Sequence, residues 1–510
     1  MCKIFLGEKN PNFRKEFWKK KERHSIIIMF HHKHTMNRGL PMDKIITELY
    51  EIMKLFSNPI SVEENIQIYM WRMFSDIMGE IFTAINQTIK EEKQKEGWKV
   101  SRNDYRTIQY IFGPVEFKRT LMVDPDGNNH YPMDEWLGIK KHQRYSPLVE
   151  VKVAELASDA TYRDTAKFIN TWTPVELSHQ TVKTILEKVG KCQSEYDQTL
   201  VEEMDEASSL PEGKKVDYLY AEADGVFVRT TKKGKKQEVR HAILYEGWEK
   251  NGKRVSIKAP LTILTTQSDS KFWAEVQSIS AHNYSLENTR VITNSDGGHG
   301  YTAEKFQTSF SQSKYTVLNQ LDAYHINQSI NRTFGMFEKT FKPKIKEAID
   351  RKDKELFSLW MDTYESTLEN DQTIKNFKAF KTYIESNWDR IFDWRDKIED
   401  APSDARRLGV MESNQRRITF RMKKRGMHWS KNGCEAMVKV KQGIFNDTLR
   451  HAYLNGIHRT ARQQREDKKI IRVSQILHQP IRPSVGAKRG QIPLNAPSSS
   501  AIGKLLKMIR

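Results

Sequence analysis

The stretch that most constrains this chain is YLYAEADGVFVR, Tyr218 to Arg229. It is an apolar, strand-like run with one carboxylate in its middle. Val216, Tyr218 and Tyr220 alternate with Asp217, Leu219 and Ala221, and Val226, Phe227 and Val228 follow. That is a run of strong β-formers at a period of two. Asp224-Gly225 has two readings. Asp-Gly between hydrophobic runs signals the tip of a hairpin. The other reading makes Asp224 the first ligand of a metal site, and the flanking sequence has to decide.

After Arg229, KKQEVRHAILYEGWEK reads as a second strand and RVSIKAPLTILTTQ as a third, an antiparallel meander. SKFWAEVQSISAHNY reads as a helix with Phe272, Val276 and Ile279 inward. TRVITNSDGGHGY is a fourth strand ending on Asp296-Gly297, EKFQTSF a short helix and KYTVLNQLDAYHI a fifth strand. Three strands, helix, strand, helix, strand is the order of a ribonuclease-H-like mixed sheet. The expected fold class is therefore a multidomain α/β chain, with the first part of that core over residues 214–330. In such a sheet the first and fourth strands are neighbours, so Asp224 and Asp296 meet at one edge, and a third carboxylate arrives from a later helix. Three carboxylates of this kind can hold two divalent ions about 3.5–4 Å apart for in-line displacement at phosphorus. Hard oxygen donors suit Mg²⁺ or Mn²⁺.

The surroundings agree with a phosphate chemistry. The chain carries 84 Lys and Arg against 65 Asp and Glu, a net charge of +19, which points to a polyanionic partner, nucleic acid first. Cys2, Cys192 and Cys434 build neither a disulfide framework nor a cysteine-based zinc site, so a reduced, cytoplasmic setting is expected. The apolar run Ser25 to Phe30 is far too short to span a bilayer, and no membrane partner is expected. Residues 1–41 read as a basic extension without regular structure. Residues 42–145 read as an α+β domain: two amphipathic helices, then a hairpin broken at Gly113-Pro114.

Residues 146–200 carry a helix-turn-helix pattern. TYRDTAKFINTW is a short helix, TPVELS a turn, and Ser178 caps SHQTVKTILEKVG, which is expected to end at Gly190. In that motif the first polar residues of the second helix reach base edges, here His179, Gln180, Lys183 and Thr184. An ordinary helical pair is the alternative. Residues 331–402 place aromatics at three- and four-residue spacing, as in Phe357/Trp360/Tyr364 and Phe377/Phe380, and read as a helical insertion with its own core. Residues 403–458 resume the core with a basic run around Glu412 and a further helix holding Glu435. Residues 459–510 are polar, basic and rich in Pro, Gly and Ser, a tail.

On these residues the chain resembles the DDE transposases of bacterial insertion sequences, the ISLre-type family, relatives in mechanism of the Mutator-like group. Asp224 in EADGVFV and Asp296 in ITNSDGGHGY stand where that family has its first and second catalytic aspartates. Asp322-x-x-His325 in LDAYHI resembles the Cys/Asp-x-x-His motif of the Mutator-like enzymes, and the helical insertion before the final Glu is shared. Glu412 in GVMESNQRR resembles the family's Glu-Ser/Gly-x-Asn pattern, with Asn414 one position early, and Glu435 in NGCEAMVKV is its rival. The resemblance implies catalytic, metal-binding Asp224, Asp296 and Glu412 (or Glu435), with Asp322 and His325 in support and two Mg²⁺ or Mn²⁺ ions. It implies DNA phosphates beside Arg406, Arg407, Arg416, Arg417, Arg421, Lys423, Lys424 and Arg425. The implied enzyme binds the terminal inverted repeats of an element, cuts, and joins the ends to target DNA, as a homo-oligomer on DNA in the bacterial nucleoid. The rival readings are a ribonuclease-H-like DNA nuclease without strand transfer and a catalytically inactive, domesticated DNA-binding protein.

Overall fold

The structure, a computed structural model, describes residues 42–55, 58–205, 213–335 and 339–456. The extension expected over residues 1–41 and the tail expected over 459–510 lie outside the described residues. Two compact units divide between Met73 and Phe74. In the first, α1 (Met42–Leu55) and the start of α2 (Pro59–Lys95) follow the expected helical spacing.

In the second unit, the rest of α2 packs Phe82, Ile85 and Ile89 against Ile108, Val115 and Phe117 of the hairpin β1 (Lys99–Tyr110) and β2 (Gly113–Val123). β3 (Asn129–His130) and α3 (Pro132–Leu137) complete this region. Then come α4 (Pro147–Asp159), α5 (Tyr162–Trp172) and α6 (His179–Asp205). The Ser146 and Thr161 side chains accept hydrogen bonds from the Val149 and Asp164 amides and start α4 and α5. Asn170 locks the turn before α6, its side chain bonding both the amide and the carbonyl of Leu177 at 3.0 Å.

The helix expected to stop at Gly190 runs on to Asp205. Gly190 supplies space instead of a terminus. A Cβ there would lie 2.5 Å from the carbonyl oxygen of Ala436, so the missing side chain lets α6 press against a later helix of the core, α14 (Lys431–Phe445).

The central sheet has the order β10-β9-β4-β5-β8, from β4 (Tyr218–Arg229), β5 (Lys236–Tyr245), β8 (Leu261–Thr265), β9 (Arg290–Ser295) and β10 (Leu318–Leu321). β5 is antiparallel to both β4 and β8, β9 is parallel to β4, and β10 is parallel to β9. The hairpin-tip reading of Asp224 fails here. Asp224 and Gly225 are ladder residues paired with His241 and Arg240, and β4 runs straight on to Arg229.

Three strand expectations change. The second and third strands both split: β6 (Trp248–Asn251), from the end of the expected second, and β7 (Arg254–Ile257), from the start of the expected third, form a separate hairpin, and Ala259, at φ +47°, turns the chain before Pro260 into β8. The fifth strand stops at Leu321 because Asp322 caps α9 (Ala323–Phe334), its Oδ1 accepting from the Tyr324 amide at 2.8 Å. His325 is therefore helical and lies in the first turn of α9.

α7 (Asp269–Asn283) covers one face of the sheet, with Phe272, Val276 and Ile279 against Leu219, Ala221 and Ala223. α13 (Met411–Met422) and α14 cover the other, with Ile418, Met422 and Met437 against Val228, Val239 and Leu264. α14 also closes the β8 edge. The amides of Thr262, Leu264 and Thr266 donate to the side chains of Asn446, Gln442 and Glu435 at 2.8, 2.8 and 2.6 Å. An open strand edge is a template for pairing with other chains, and these side chains occupy it. After α8 (Ala303–Ser309), the insertion of α10 (Phe341–Asp350), α11 (Lys354–Glu365) and α12 (Asp371–Ser386) shares an aromatic core with α9, built on Phe334, Phe357, Phe377, Phe380 and Trp388. Among the described residues, no helix is long and apolar enough to cross a membrane.

Candidate active site

Side chains two apart on a strand share a face, so Glu222 and Asp224 both point toward α13. Glu222 is fully buried. Its carboxylate accepts from the backbone amides of Gly409, Val410 and Met411 at 3.0, 3.1 and 3.3 Å, from Tyr245 Oη at 2.8 Å and from Asn294 Nδ2 at 3.1 Å. Those amides open α13 and have no partners within the helix. Burial raises the Glu222 pKa and the amide donors oppose the rise. Glu222 thus pins the first turn of α13 over β4.

The same helix then reaches Asp224. Gln415 Nε2 donates to Asp224 Oδ2 at 2.7 Å, and the Gly225 amide donates to Oδ1 at 2.6 Å. Glu412 lies one turn before Gln415, hence on the same helix face, and is exposed to solvent. Asp296 follows β9. The ladder pairs Glu222 with Asn294, so two residues on in each strand come Asp224 and Asp296. Gly297, at φ +75°, turns the chain, and the Gly298 amide donates to Asp296 Oδ1 at 2.8 Å. Tyr383 of the insertion donates its hydroxyl to the Asp296 carbonyl at 2.8 Å.

His325 joins the group from α9, its Nε2 3.7 Å from Asp224 Oδ2. Asp224 raises the imidazole pKa against the opposing effect of burial, and Asp322 and Asp296 add to the rise. Burial raises the Asp322 pKa, the Tyr324 amide opposes it, and the charges of Asp224 and Glu412 reinforce it. Four carboxylates and one imidazole therefore act on one another. A cleft of about 450 Å³ opens beside Asp296, between the GGHG loop and helices α9 and α12. Among the described residues, no three His, Cys, Asp or Glu side chains are gathered closely enough to hold a metal ion. The carboxylate oxygens of Asp224, Asp296 and Glu412 are of the donor type that suits a hard divalent cation.

A family model described as an uncharacterised protein family, UPF0236, matches residues 57–457. The chain belongs to this family. A UPF0236 protein in the vanSb 3′ region of Streptococcus gallolyticus is 29% identical over 471 residues, 91% of this chain and 100% of the relative. Two UPF0236 proteins of Caldanaerobacter subterraneus subsp. tengcongensis are 26% and 25% identical over 401 residues each, 77% of this chain and 80% of each relative. Their names join four and eleven loci.

In this UPF0236 chain the rival glutamate, Glu435, has another occupation. Its carboxylate accepts from Thr265 Oγ1 at 2.9 Å and from the amide and hydroxyl of Thr266 at 2.6 Å each, holding the end of β8. His179, Gln180, Lys183 and Thr184 are all exposed at the start of α6. Arg406, Arg407, Arg416, Arg417, Lys423, Lys424 and Arg425 are exposed around α13. Arg421 differs from them. It is 1% exposed, its Nε donates to the Ala157 carbonyl at 3.2 Å, and its guanidinium lies over the Tyr162 and Trp429 rings. Arg421 joins α13 to α4 and is not offered to a phosphate.

Three neighbours of Asp224 escape the sequence reading: Glu222, Gln415 and His241. Glu222 had a signal, the period of two from Asp224. His241 stands opposite Asp224 in the ladder and is fully buried. Burial pushes its imidazole down to about 4.

Proposed function

We propose that this protein is a DDE-class DNA transposase that cuts the ends of an insertion sequence and joins them to target DNA with divalent metal. One observation carries the reading: Asp224 and Asp296 come from neighbouring parallel strands of a sheet of order β10-β9-β4-β5-β8, and the helix bearing Glu412 is bonded to Asp224 through Gln415, an arrangement that a ribonuclease-H-like catalytic core would have. Two further features support it. The chain is strongly basic, net +19. A relative whose name joins eleven loci is what an element copied around a genome would leave.

In this reading Asp224, Asp296 and Glu412 would hold two Mg²⁺ or Mn²⁺ ions, which would supply activation of an attacking water or 3′-hydroxyl and charge stabilisation at the leaving 3′-oxygen. The chain's own groups orient the donors. Gln415 and the Gly225 amide fix Asp224, the Gly298 amide fixes Asp296, and Glu222 keeps Glu412 on the right face. His325, made more basic by its neighbours, offsets part of the carboxylate charge. Exposed basic residues of 406–425 neutralise phosphates, and the start of α6 meets base edges. The protein works as a homo-oligomer on DNA.

Asp224→Ala is expected to lower cleavage and strand transfer on the order of 10³-fold or more while binding of element ends persists. A variant that still cuts labelled end duplexes in Mg²⁺ removes the assignment. Attack of a 3′-hydroxyl on a second duplex separates a transposase from a nuclease. A wild-type protein that binds ends in Mg²⁺ but never cuts would be the inactive DNA-binding protein.

A further inference from the structure

α9 has two unlike faces. Ile326, Ile330 and Phe334 are buried in the aromatic core of the insertion. His325, Gln328, Ser329, Arg332 and Thr333, at helical spacing on the other face, all line the cleft beside Asp296. Every group on that wall can form hydrogen bonds, Arg332 brings a cation, and α9 contains no acidic residue. The row begins at His325, beside Asp224, and runs about 12 Å along the helix to Thr333. Phe380 and Tyr383 of α12 also line the cleft, and the Tyr383 hydroxyl is tied to the Asp296 carbonyl. One end of the row therefore lies at the carboxylates.

We propose that this cleft is a subsite for an unpaired DNA strand next to the scissile phosphate, with the polar face of α9 as its rail. The proposal rests on the transposase reading. Size selects the ligand. A cleft of about 450 Å³ is too small for a duplex, whose major groove alone is about 12 Å wide, but admits a short run of bases. Chemistry agrees with size. Unpaired strands are held by a cation for the backbone and aromatic side chains for base faces, and exposed Arg332 and partly exposed Tyr383 supply both. Gln328, Ser329 and Thr333 supply donors and acceptors for base edges and sugars. A strand lying in the cleft with its phosphate at Asp224 and Asp296 has to be separated from its complement at that point.

The test is equilibrium binding of the full chain, without divalent metal so that nothing is cut, to two fluorescent probes. One is a blunt duplex and the other the same duplex with a short unpaired extension. The wild-type protein is expected to bind the extended probe about tenfold tighter, the worth of stacking one base. Arg332→Glu should erase that preference and leave blunt-duplex affinity unchanged. Ser329→Trp, which fills the cleft, should do the same. Equal affinity of the wild-type protein for the two probes, or a preference that survives in both variants, overturns the subsite. Failure to bind either probe overturns the transposase reading as well, whereas blunt binding without preference overturns the subsite alone.

Discussion

The carboxylates around Lys439 and those around Asp224 serve the same core, yet the chain surrounds them differently. Lys439 is fully buried between Asp197 and Glu275, with its Nζ 2.7 Å from each. Burial alone would lower the Lys439 pKa, but the two carboxylate charges overcome it and hold the pKa well above the usual lysine range. Gln442 adds a donor to Asp197 at 2.9 Å, and nearby Glu435 is served by Thr265 and Thr266. These carboxylates are met by protein donors and tie α6, α7, α14 and β8 together. At the other end of the face, Asp224 takes one amide and one side-chain donor, Asp296 takes the Gly298 amide and Glu412 faces solvent. Buried polar groups used for architecture are satisfied from within. Glu412 is left open where Glu435 is fully engaged, and in the proposed function it is the open carboxylates that would receive a cation from solution.

Five substitutions bear on the contrast. The largest effect is expected from exchanging the roles of the two glutamates. Glu412→Gln should cost on the order of 10³-fold in cleavage with unchanged thermal unfolding. Glu435→Gln should leave the metal-dependent chemistry in the surviving folded protein and cost about 1–3 kcal/mol of stability by denaturant titration. Equal behaviour of the two variants would erase the distinction. Lys439→Met strands Asp197 and Glu275 in the interior, and its expected cost is about 3–5 kcal/mol. A neutral result would mean that the buried group is less tightly organised than its distances indicate. Gly190→Ala forces α6 away from the Ala436 backbone and should cost about 1–3 kcal/mol, read as a lowered unfolding midpoint. The smallest effect belongs to the exposed start of α6: Lys183→Ala should weaken DNA binding slightly and reduce its salt slope by about one charge. An unchanged slope would remove Lys183 from the DNA surface.

Much of the fold was legible because the signals are local. The alternation in Tyr218–Arg229 marks β4, Ser178 announces the start of α6 by accepting from the Thr181 amide, and aromatic spacing marks the insertion core. Other features depended on residues far apart in the chain. Gly190 reads as a stop until Ala436 is seen against it. Arg421 reads as one more arginine of a basic helix until Ala157, Tyr162 and Trp429 enclose it. The hairpin tip suggested by Asp224-Gly225 gave way because β5 pairs with β4 from Tyr220 to Arg229 and holds both residues extended.

By itself the sequence determined where most of the strands and helices lie, though not where they end, that the chain is basic, and that two Asp-Gly pairs lie in or at the end of apolar strands. Those properties follow from spacing and composition, which neighbouring residues settle among themselves. Only the tertiary structure decided which glutamate is already engaged. The sequence favoured Glu412, among its arginines, and kept Glu435 as the rival. Three backbone amides bound to Glu222 set the first turn of the Glu412 helix over β4 and leave Glu412 exposed, and the amide and hydroxyls at the end of an edge strand claim Glu435. Such choices rest on satisfying buried hydrogen-bonding groups across nearly two hundred residues of chain, and no local pattern encodes that.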